Sequence, residues 1–165
     1  MKRTVPLFLV ALSLSACGLR PVYSGGSQGA VAQRLGNVEI APIEGKGGWL
    51  VRNALNDRLS AMSGNGPSYR LVVKLDDQIS GFGLRADAAV TRERRTLRAR
   101  YQLIDTATGT QVIDDTAGSD AGIDVTSSEY ATIAAEDTAL ERLSQTVADQ
   151  IVSRLALFAA REKQR

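Results

Sequence analysis

The sequence contains no histidine and a single cysteine among its 165 residues. Without histidine the chain lacks the usual general base, the usual zinc and iron ligand, and the partner that activates a serine or cysteine nucleophile. One cysteine forms no internal disulfide, and a chain of this length buries enough surface to hold a core without one. These absences disfavour hydrolases and metalloenzymes. We therefore expect one globular domain that is not an enzyme and needs neither a cofactor nor a metal.

The charge of the chain is also small, with 20 basic and 18 acidic residues and a formal net charge of +2. A bulk nucleic-acid binder carries a much stronger positive balance. We therefore expect no nucleic-acid partner.

The first 16 residues have the pattern of an export signal. Lys2 and Arg3 precede an apolar run over 5–14, and small residues follow it. The run is about half as long as a membrane-spanning helix requires. The tetrapeptide at 14–17, LSAC, resembles the lipobox of bacterial lipoproteins, so we expect cleavage before Cys17 and acylation of that cysteine. Gly18 is not the aspartate of an inner-membrane retention signal, which favours the outer membrane.

Composition divides the remainder into three parts. Residues 17–33 are small, polar and rich in glycine, which indicates an acylated N-terminus and a flexible tether. Residues 34–161 carry the periodic apolar patterns of a single folded domain. Residues 162–165 form a charged C-terminal tail.

Within the domain, hydrophobic periodicity predicts the order β-α-β-β-β-α. The predicted strands cover 35–43, 69–75, 96–104 and 110–116, and the predicted helices cover 49–62 and 130–160. Residues 44–48 and 105–109 are expected to form turns, and 81–83 a mobile connection. The fold class is therefore α+β, with two amphipathic helices on one face of a four-stranded, largely antiparallel sheet.

The charge is distributed unevenly along the predicted third and fourth strands. Six arginines and two acids lie between residues 85 and 100, whereas 105–129 contains six acids and no base. Strand parity can place six cations on one outward face, namely Arg70, Lys74, Arg92, Arg94, Arg98 and Arg100. Two interpretations remain open. The arginines pair with acids across a hairpin, or they bind a phosphorylated, amphiphilic ligand such as a glycolipid.

Several short motifs carry a family resemblance. Cys17 is followed by GLRP at 18–21, and the domain contains VEIAPI at 38–43, LVRNALNDRL at 50–59 and ADQI at 148–151. In their order and content these motifs resemble the LptE family of lipopolysaccharide-assembly lipoproteins, in its alphaproteobacterial form. The resemblance implies a non-enzymatic, lipid-anchored protein on the periplasmic side of the outer membrane. It also implies that the protein plugs the β-barrel LptD, assists assembly of that barrel, and contacts lipopolysaccharide during insertion.

A different class of protein has a similar size, anchor and order of elements. An auxiliary lipoprotein of an ABC-type lipid transporter would handle phospholipid between the two membranes and would need no barrel. An enzyme is a distant third interpretation because the chain has no histidine.

Overall fold

A computed structural model describes residues 29–60, 66, 68–84 and 90–162 of the chain. The elements in chain order are α1 (Ala30–Leu35), β1 (Val38–Ile40), α2 (Gly45–Ser60), β2 (Tyr69–Leu84), β3 (Val90–Asp105), β4 (Gln111–Asp124) and α3 (Glu129–Glu162). The four strands form one sheet in the order β1-β2-β3-β4. β1 runs parallel to β2, and the other two pairs are antiparallel. The predicted α+β class is confirmed, with the short helix α1 in addition.

The core lies between the helices and one face of the sheet, which we call the inner face. Alternate residues of β2 and β3 point into it, among them Leu71, Leu97 and Leu103, all fully buried. The predicted apolar stripe of α3 packs on them through its central and C-terminal turns. At one end, the rings of Tyr69 and Phe158 meet edge to face with centroids 6.2 Å apart. Ile133, predicted to belong to the stripe, is instead exposed.

All of the long strands extend beyond their predicted ends. β2 continues through 81–83, so the predicted mobile connection is wrong, and β3 already begins at Val90. β4 continues to Asp124. The added parts of the strands escaped prediction because they carry polar residues on both faces and several glycines, which removes the alternation of apolar and polar side chains.

Two expectations at the start of the domain also require correction. The helix α2 begins at Gly45, inside the predicted turn at 44–48. The predicted tether at 17–33 overlaps α1, where Val31 and Ala32 are buried, so the folded part begins before residue 34. Packing of α1 against α3 stabilises this six-residue helix, which is too short to form by propensity alone.

The predicted turn between β3 and β4 is confirmed. The N–H of Gly109 donates to the carbonyl of Asp105 at 2.8 Å, and Gly109 has the positive φ of 69° that such a turn requires. β4 pairs with β3 from Ile113 opposite Leu103 to Asp124 opposite Arg92, with a register shift beside Leu103. None of the described helices is both long and apolar enough to cross a membrane. The predicted signal peptide, Cys17 and residues 163–165 lie outside the described residues.

Candidate functional site

The face of the sheet turned away from the helices, the outer face, carries all six cations singled out in the sequence. β2 and β3 are paired so that Lys74 lies opposite Arg100 and Ser80 lies opposite Arg94. Because side chains alternate along each strand, residues an even number of positions from these pairs share the same face. This rule places on the outer face Arg70, Lys74, Arg92, Arg94, Arg98 and Arg100.

Five carboxylates share the outer face with these cations. They are Glu39, Asp76, Asp114, Asp120 and Asp124. Four of them form ion pairs with arginines of the set: Arg70–Glu39 at 3.3 Å, Arg92–Asp124 at 3.0 Å, Arg98–Asp120 at 3.1 Å and Arg100–Asp114 at 3.0 Å. The hairpin interpretation therefore describes Arg92, Arg98 and Arg100. Arg70 pairs instead with Glu39 of the parallel strand β1, and the outer face is close to neutral.

The pair between Arg100 and Asp114 has two-point geometry. Nε of Arg100 donates to Oδ1 of Asp114 at 3.1 Å, and Nη2 donates to Oδ2 at 3.0 Å. Gln102 and Gln111 donate to the same carboxylate. These hydrogen bonds, led by the one from Arg100, lower the pKa of Asp114 to about 2. The side chain of Arg100 is thus held toward β4.

Arg98 lies flat across the sheet because β4 has a glycine opposite it. Gly118 leaves room for the methylene groups of Arg98, whose Nη1 reaches the carbonyl of Ser119 at 3.0 Å and whose Nη2 contacts both oxygens of Asp120 at 3.1 Å. The hydrogen bonds from Thr96 and then Arg98 lower the pKa of Asp120.

Lys74 and Arg94 differ from the other four cations. Among the described residues, no carboxylate lies within ion-pair distance of either side chain. The guanidinium carbon of Arg94 lies 5.4 Å from the centroid of the Phe82 ring, a cation–π arrangement. Lys74 lines a cavity of about 180 Å³ together with Val72, Arg100 and Gln102. Six residues separate the two positions along the strands, a distance of about 20 Å.

The two positions combine available positive charge with apolar surface. The ring of Phe82 is 40% exposed beside Arg94, and Val72 forms part of the cavity beside Lys74. A guanidinium or ammonium group bordered by apolar surface suits a ligand that carries both phosphate and hydrocarbon. The sequence analysis missed Phe82 because it assigned 81–83 to a connection. Phe82 lies two residues after Ser80. If β2 is extended through this stretch, the alternation of side chains along a strand places Phe82 on the same face as Ser80.

Within the ranges described above, no three metal-ligating side chains cluster. The adjacent carboxylates Asp114 and Asp115 point to opposite faces of β4, where Asp114 pairs with Arg100 and Asp115 pairs with Arg154 at 2.8 Å. Both therefore act as partners of arginine.

Comparison with known proteins identifies relatives of this chain. The family profile for LptE, described as lipopolysaccharide-assembly, matches residues 35–155. A crystal structure of a candidate lipoprotein from Caulobacter crescentus is similar, with 28% identity and a TM-score of 0.65, over 80% of this chain and 98% of that one.

Two further solved structures share the fold at lower identity. Rare lipoprotein B from Shewanella oneidensis has 12% identity and a TM-score of 0.60, over 77% of this chain and 97% of that one. A minor lipoprotein from Acinetobacter baumannii has 12% identity and a TM-score of 0.56, over 74% and 94% of the two chains. No curated protein matches the sequence significantly.

Proposed function

Because the chain belongs to the LptE family of lipopolysaccharide assembly, we propose that it is a lipid-anchored outer-membrane protein that contacts lipopolysaccharide and partners the barrel LptD. The profile covers more than two thirds of the chain, including the sheet and most of α3. In this proposal the acyl chains on Cys17 lie in the periplasmic leaflet, since two or more such chains make a stable anchor. The protein acts by binding and not by catalysis.

The observation that carries the lipid part of the proposal is the pair of cations that have no carboxylate partner among the residues that the structure describes, Lys74 and Arg94. We assign the phosphate contacts to them because their charge is not already satisfied within the described part of the chain. The four ion-paired arginines, Arg70, Arg92, Arg98 and Arg100, would first have to release their acids. They remain part of the proposed contact face, with a smaller role than their number in the sequence indicates.

The outer face carries many charged side chains but little net charge, and this supports the barrel part of the proposal. The lumen of an outer-membrane barrel is polar, so a wedge inserted into it needs polar side chains on its surface. The outer face supplies paired acids and arginines along strands of 14 to 16 residues. Such a face presents both signs of charge to the polar lining of a lumen.

Binding of purified lipopolysaccharide to the full-length protein tests the lipid contact. We expect the double variant Lys74→Glu/Arg94→Glu to weaken binding at least tenfold at low salt, and by less at high salt because of screening. Arg52→Glu/Arg142→Glu, at exposed positions of α2 and α3, is the charge-matched control and should bind normally. Equal affinities of the double variant and the control would remove the lipid role from the outer face. Vesicles of phosphatidylglycerol distinguish a preference for lipopolysaccharide from one for phospholipid.

Mild detergent extraction tests the barrel partner separately. We expect an outer-membrane barrel to co-purify with the full chain, and the Cys17→Ser variant to lose its membrane fraction. Recovery of the wild-type protein as a lone monomer would contradict the barrel proposal while leaving the lipid measurement intact.

A further inference from the structure

The side of β2 that faces away from β3 is covered by a neighbouring strand only at its beginning. β1 pairs with the first three residues of β2 and ends at Ile40. The N–H of Tyr69 donates to the carbonyl of Asn37 at 3.0 Å, and the carbonyl of Leu71 accepts from the N–H of Ala41 at 2.9 Å. These contacts show that the odd-numbered residues of β2 direct their backbone groups to this side.

Farther along β2, the same edge is open. The register with β3 is unbroken from 69 to 82, so Asp77, Ile79 and Gly81 also direct their backbone groups to this edge. Among the described residues, no hydrogen bond reaches these outward groups. An open stretch of this kind is a template for an added strand.

Two charged side chains near the open edge have no partner of opposite charge in the described part of the chain. Asp76 accepts only from the amide of Gln78, at 3.1 and 3.2 Å, because Arg98 opposite it on β3 is turned toward β4. Arg94 also lacks a carboxylate, and its guanidinium carbon lies over the ring of Phe82. Since Phe82 belongs to β2, Arg94 extends from β3 across β2 toward the open edge.

We propose that two copies of this protein associate edge to edge, with residues 76–82 of one β2 paired antiparallel to the same residues of the other about Ile79. In this register Asp76 of each copy lies directly opposite Phe82 of the other copy, beside the guanidinium of Arg94. The two charges that are unpaired in a single copy therefore meet twice in the pair. Opposite charges on adjacent strands stabilise the pairing.

β1 limits the registers in which a second copy can pair. Antiparallel pairing about Leu75 would place Ile79 of the second copy beside Leu71, where β1 already lies. Pairing about Asp77 creates the same conflict. Pairing about Ile79 leaves β1 in place, because the paired stretch begins beyond it.

The next symmetric register, about Gly81, loses the match of charges. It would place Gly83 of the second copy opposite Ile79, and the φ of 77° at Gly83 lies outside strand geometry. It would also move Asp76 about 13 Å along the strand from Phe82. The register about Ile79 is therefore the one that clears β1 and joins the unpaired charges.

Apolar surface adds to the charge match. Ile79 is 43% exposed on the inner face, and it would meet Ile79 of the other copy across the two-fold axis. The added strand would also cover part of the exposed ring of Phe82. Pairing thus buries apolar side chains on both faces of the sheet.

This self-association needs neither lipid nor a barrel, and it therefore goes beyond the function proposed above. An exposed edge strand is prone to aggregation, and pairing closes it. Because Arg94 is also assigned to phosphate contacts, the paired form and the lipid-bound form are alternatives for this side chain.

Reversal of the two charges tests the pairing on the full-length protein in detergent micelles, without lipopolysaccharide. We expect the wild type to form a dimer in analytical ultracentrifugation. Asp76→Arg and Arg94→Asp should each weaken association by about tenfold or more, because each brings like charges together. The double variant Asp76→Arg/Arg94→Asp restores the match and should dimerise again.

Two further samples identify the occupant and control for net charge. An equal mixture of the two single variants should form a heterodimer, since each supplies the charge that the other lacks. Arg142→Asp, at an exposed position of α3, changes the charge as much as Arg94→Asp does and should dimerise like the wild type.

A cysteine at the centre of the interface tests the register. The α-carbons of facing residues in a hydrogen-bonded antiparallel pair lie about 5.5 Å apart, within the range of a disulfide. We expect Ile79→Cys to cross-link into a dimer under mild oxidation, and Ser153→Cys, at an exposed position of α3, to remain a monomer. This comparison still decides if a charge variant fails to fold.

Three results would overturn the proposal. A wild-type protein that stays monomeric at its highest soluble concentration would mean that a second copy does not occupy the edge. A double variant that associates no better than the single variants would mean that Asp76 and Arg94 do not meet. Equal cross-linking of the cysteines at 79 and 153 would mean that the copies touch without a fixed register.

Discussion

Arg95 and Asp77 form a two-point ion pair on the inner face of the sheet. Nε of Arg95 lies 2.9 Å from Oδ1 of Asp77, and Nη2 lies 2.6 Å from Oδ2. The side chains are only 11% and 28% exposed, and the third nitrogen, Nη1, donates to the carbonyl of Glu136 in α3 at 2.9 Å. Hydrogen bonding of the guanidinium to the Asp77 carboxylate is the main reason that the pKa of Arg95 is raised. This pair thus closes the core where α3 passes over the polar half of the sheet.

Removal of Asp77 should therefore destabilise the protein. In Asp77→Ala the largely buried guanidinium of Arg95 loses its carboxylate, and we expect unfolding by urea to show a loss of about 1–3 kcal/mol. The double variant Asp77→Leu/Arg95→Met should recover most of this loss, because two apolar side chains leave no unpaired charge. Asp76→Ala is the matched control, since Asp76 is exposed on the outer face, and it should change the stability little. Equal losses in the two alanine variants would contradict this role for Arg95.

Glu136, whose backbone carbonyl accepts from Arg95, has a raised pKa at its side-chain carboxyl group. Burial is the main cause of its raised pKa, and the nearby carboxylate of Glu93 adds to it. An acid whose pKa is raised in the folded state holds a proton that the unfolded chain has released. Its contribution to the free energy of unfolding therefore falls as the pH rises through the window above its ordinary pKa of 4.5.

We expect Glu136→Gln to raise the melting temperature at neutral pH, with a difference from wild type that shrinks as the pH approaches 4. Glu141→Gln, at an exposed position on the same helix, removes the same charge and should have little effect. Thermal unfolding of the three proteins between about pH 4 and 8 measures this difference. A Glu136→Gln variant less stable than wild type at neutral pH would show that the carboxylate is a net stabilising group.

Asp114 should contribute to the loss of protein stability at low pH. Its pKa of about 2 in the folded state lies below that of the unfolded chain, chiefly because of Arg100. Its stabilising contribution is therefore complete above the ordinary carboxyl pKa and is lost as the pH falls toward 2. We expect Arg100→Gln to move the pKa of Asp114 up toward its usual value, as measured by carboxyl carbon NMR. Arg92→Gln, which removes a different pair on the same face, should leave the Asp114 titration unchanged.

The sequence predicted the elements whose faces differ in polarity and missed those whose faces do not. β2 over 69–75 alternates strictly, and the buried turns of α3 keep a helical period, so both were predicted correctly. From Asp77 onward, the inner face also carries charged residues, namely Asp77 and Arg95. The alternation of apolar and polar side chains that predicts a strand is therefore lost. The six cations were placed on one face by parity, whereas their pairing depends on the register of β4, which adjacent Val112 and Ile113 left undetermined.

Glycine was the other source of error, and Gly48 shows why. The glycine-rich stretch at 45–48 is typical of a turn, yet it forms the first turn of α2. A Cβ on Gly48 would lie 2.6 Å from the carbonyl oxygen of Ile43, so the glycine permits a close approach between the helix and the segment that follows β1. A sequence pattern does not distinguish a glycine needed for close packing from one needed for a turn.

Alanine substitutions at the two adjacent glycines should therefore have opposite effects. At Gly48 the added methyl group meets backbone atoms that cannot move aside, and we expect Gly48→Ala to lose about 1–3 kcal/mol. At Gly47 the methyl group would lie 3.5 Å from the side chain of Leu140, an ordinary contact. Gly47→Ala should gain about 0.5–1 kcal/mol because alanine loses less backbone freedom in a helix. Thermal unfolding measures both, and a shift of the same sign in the two variants would contradict the close packing of Gly48 on Ile43.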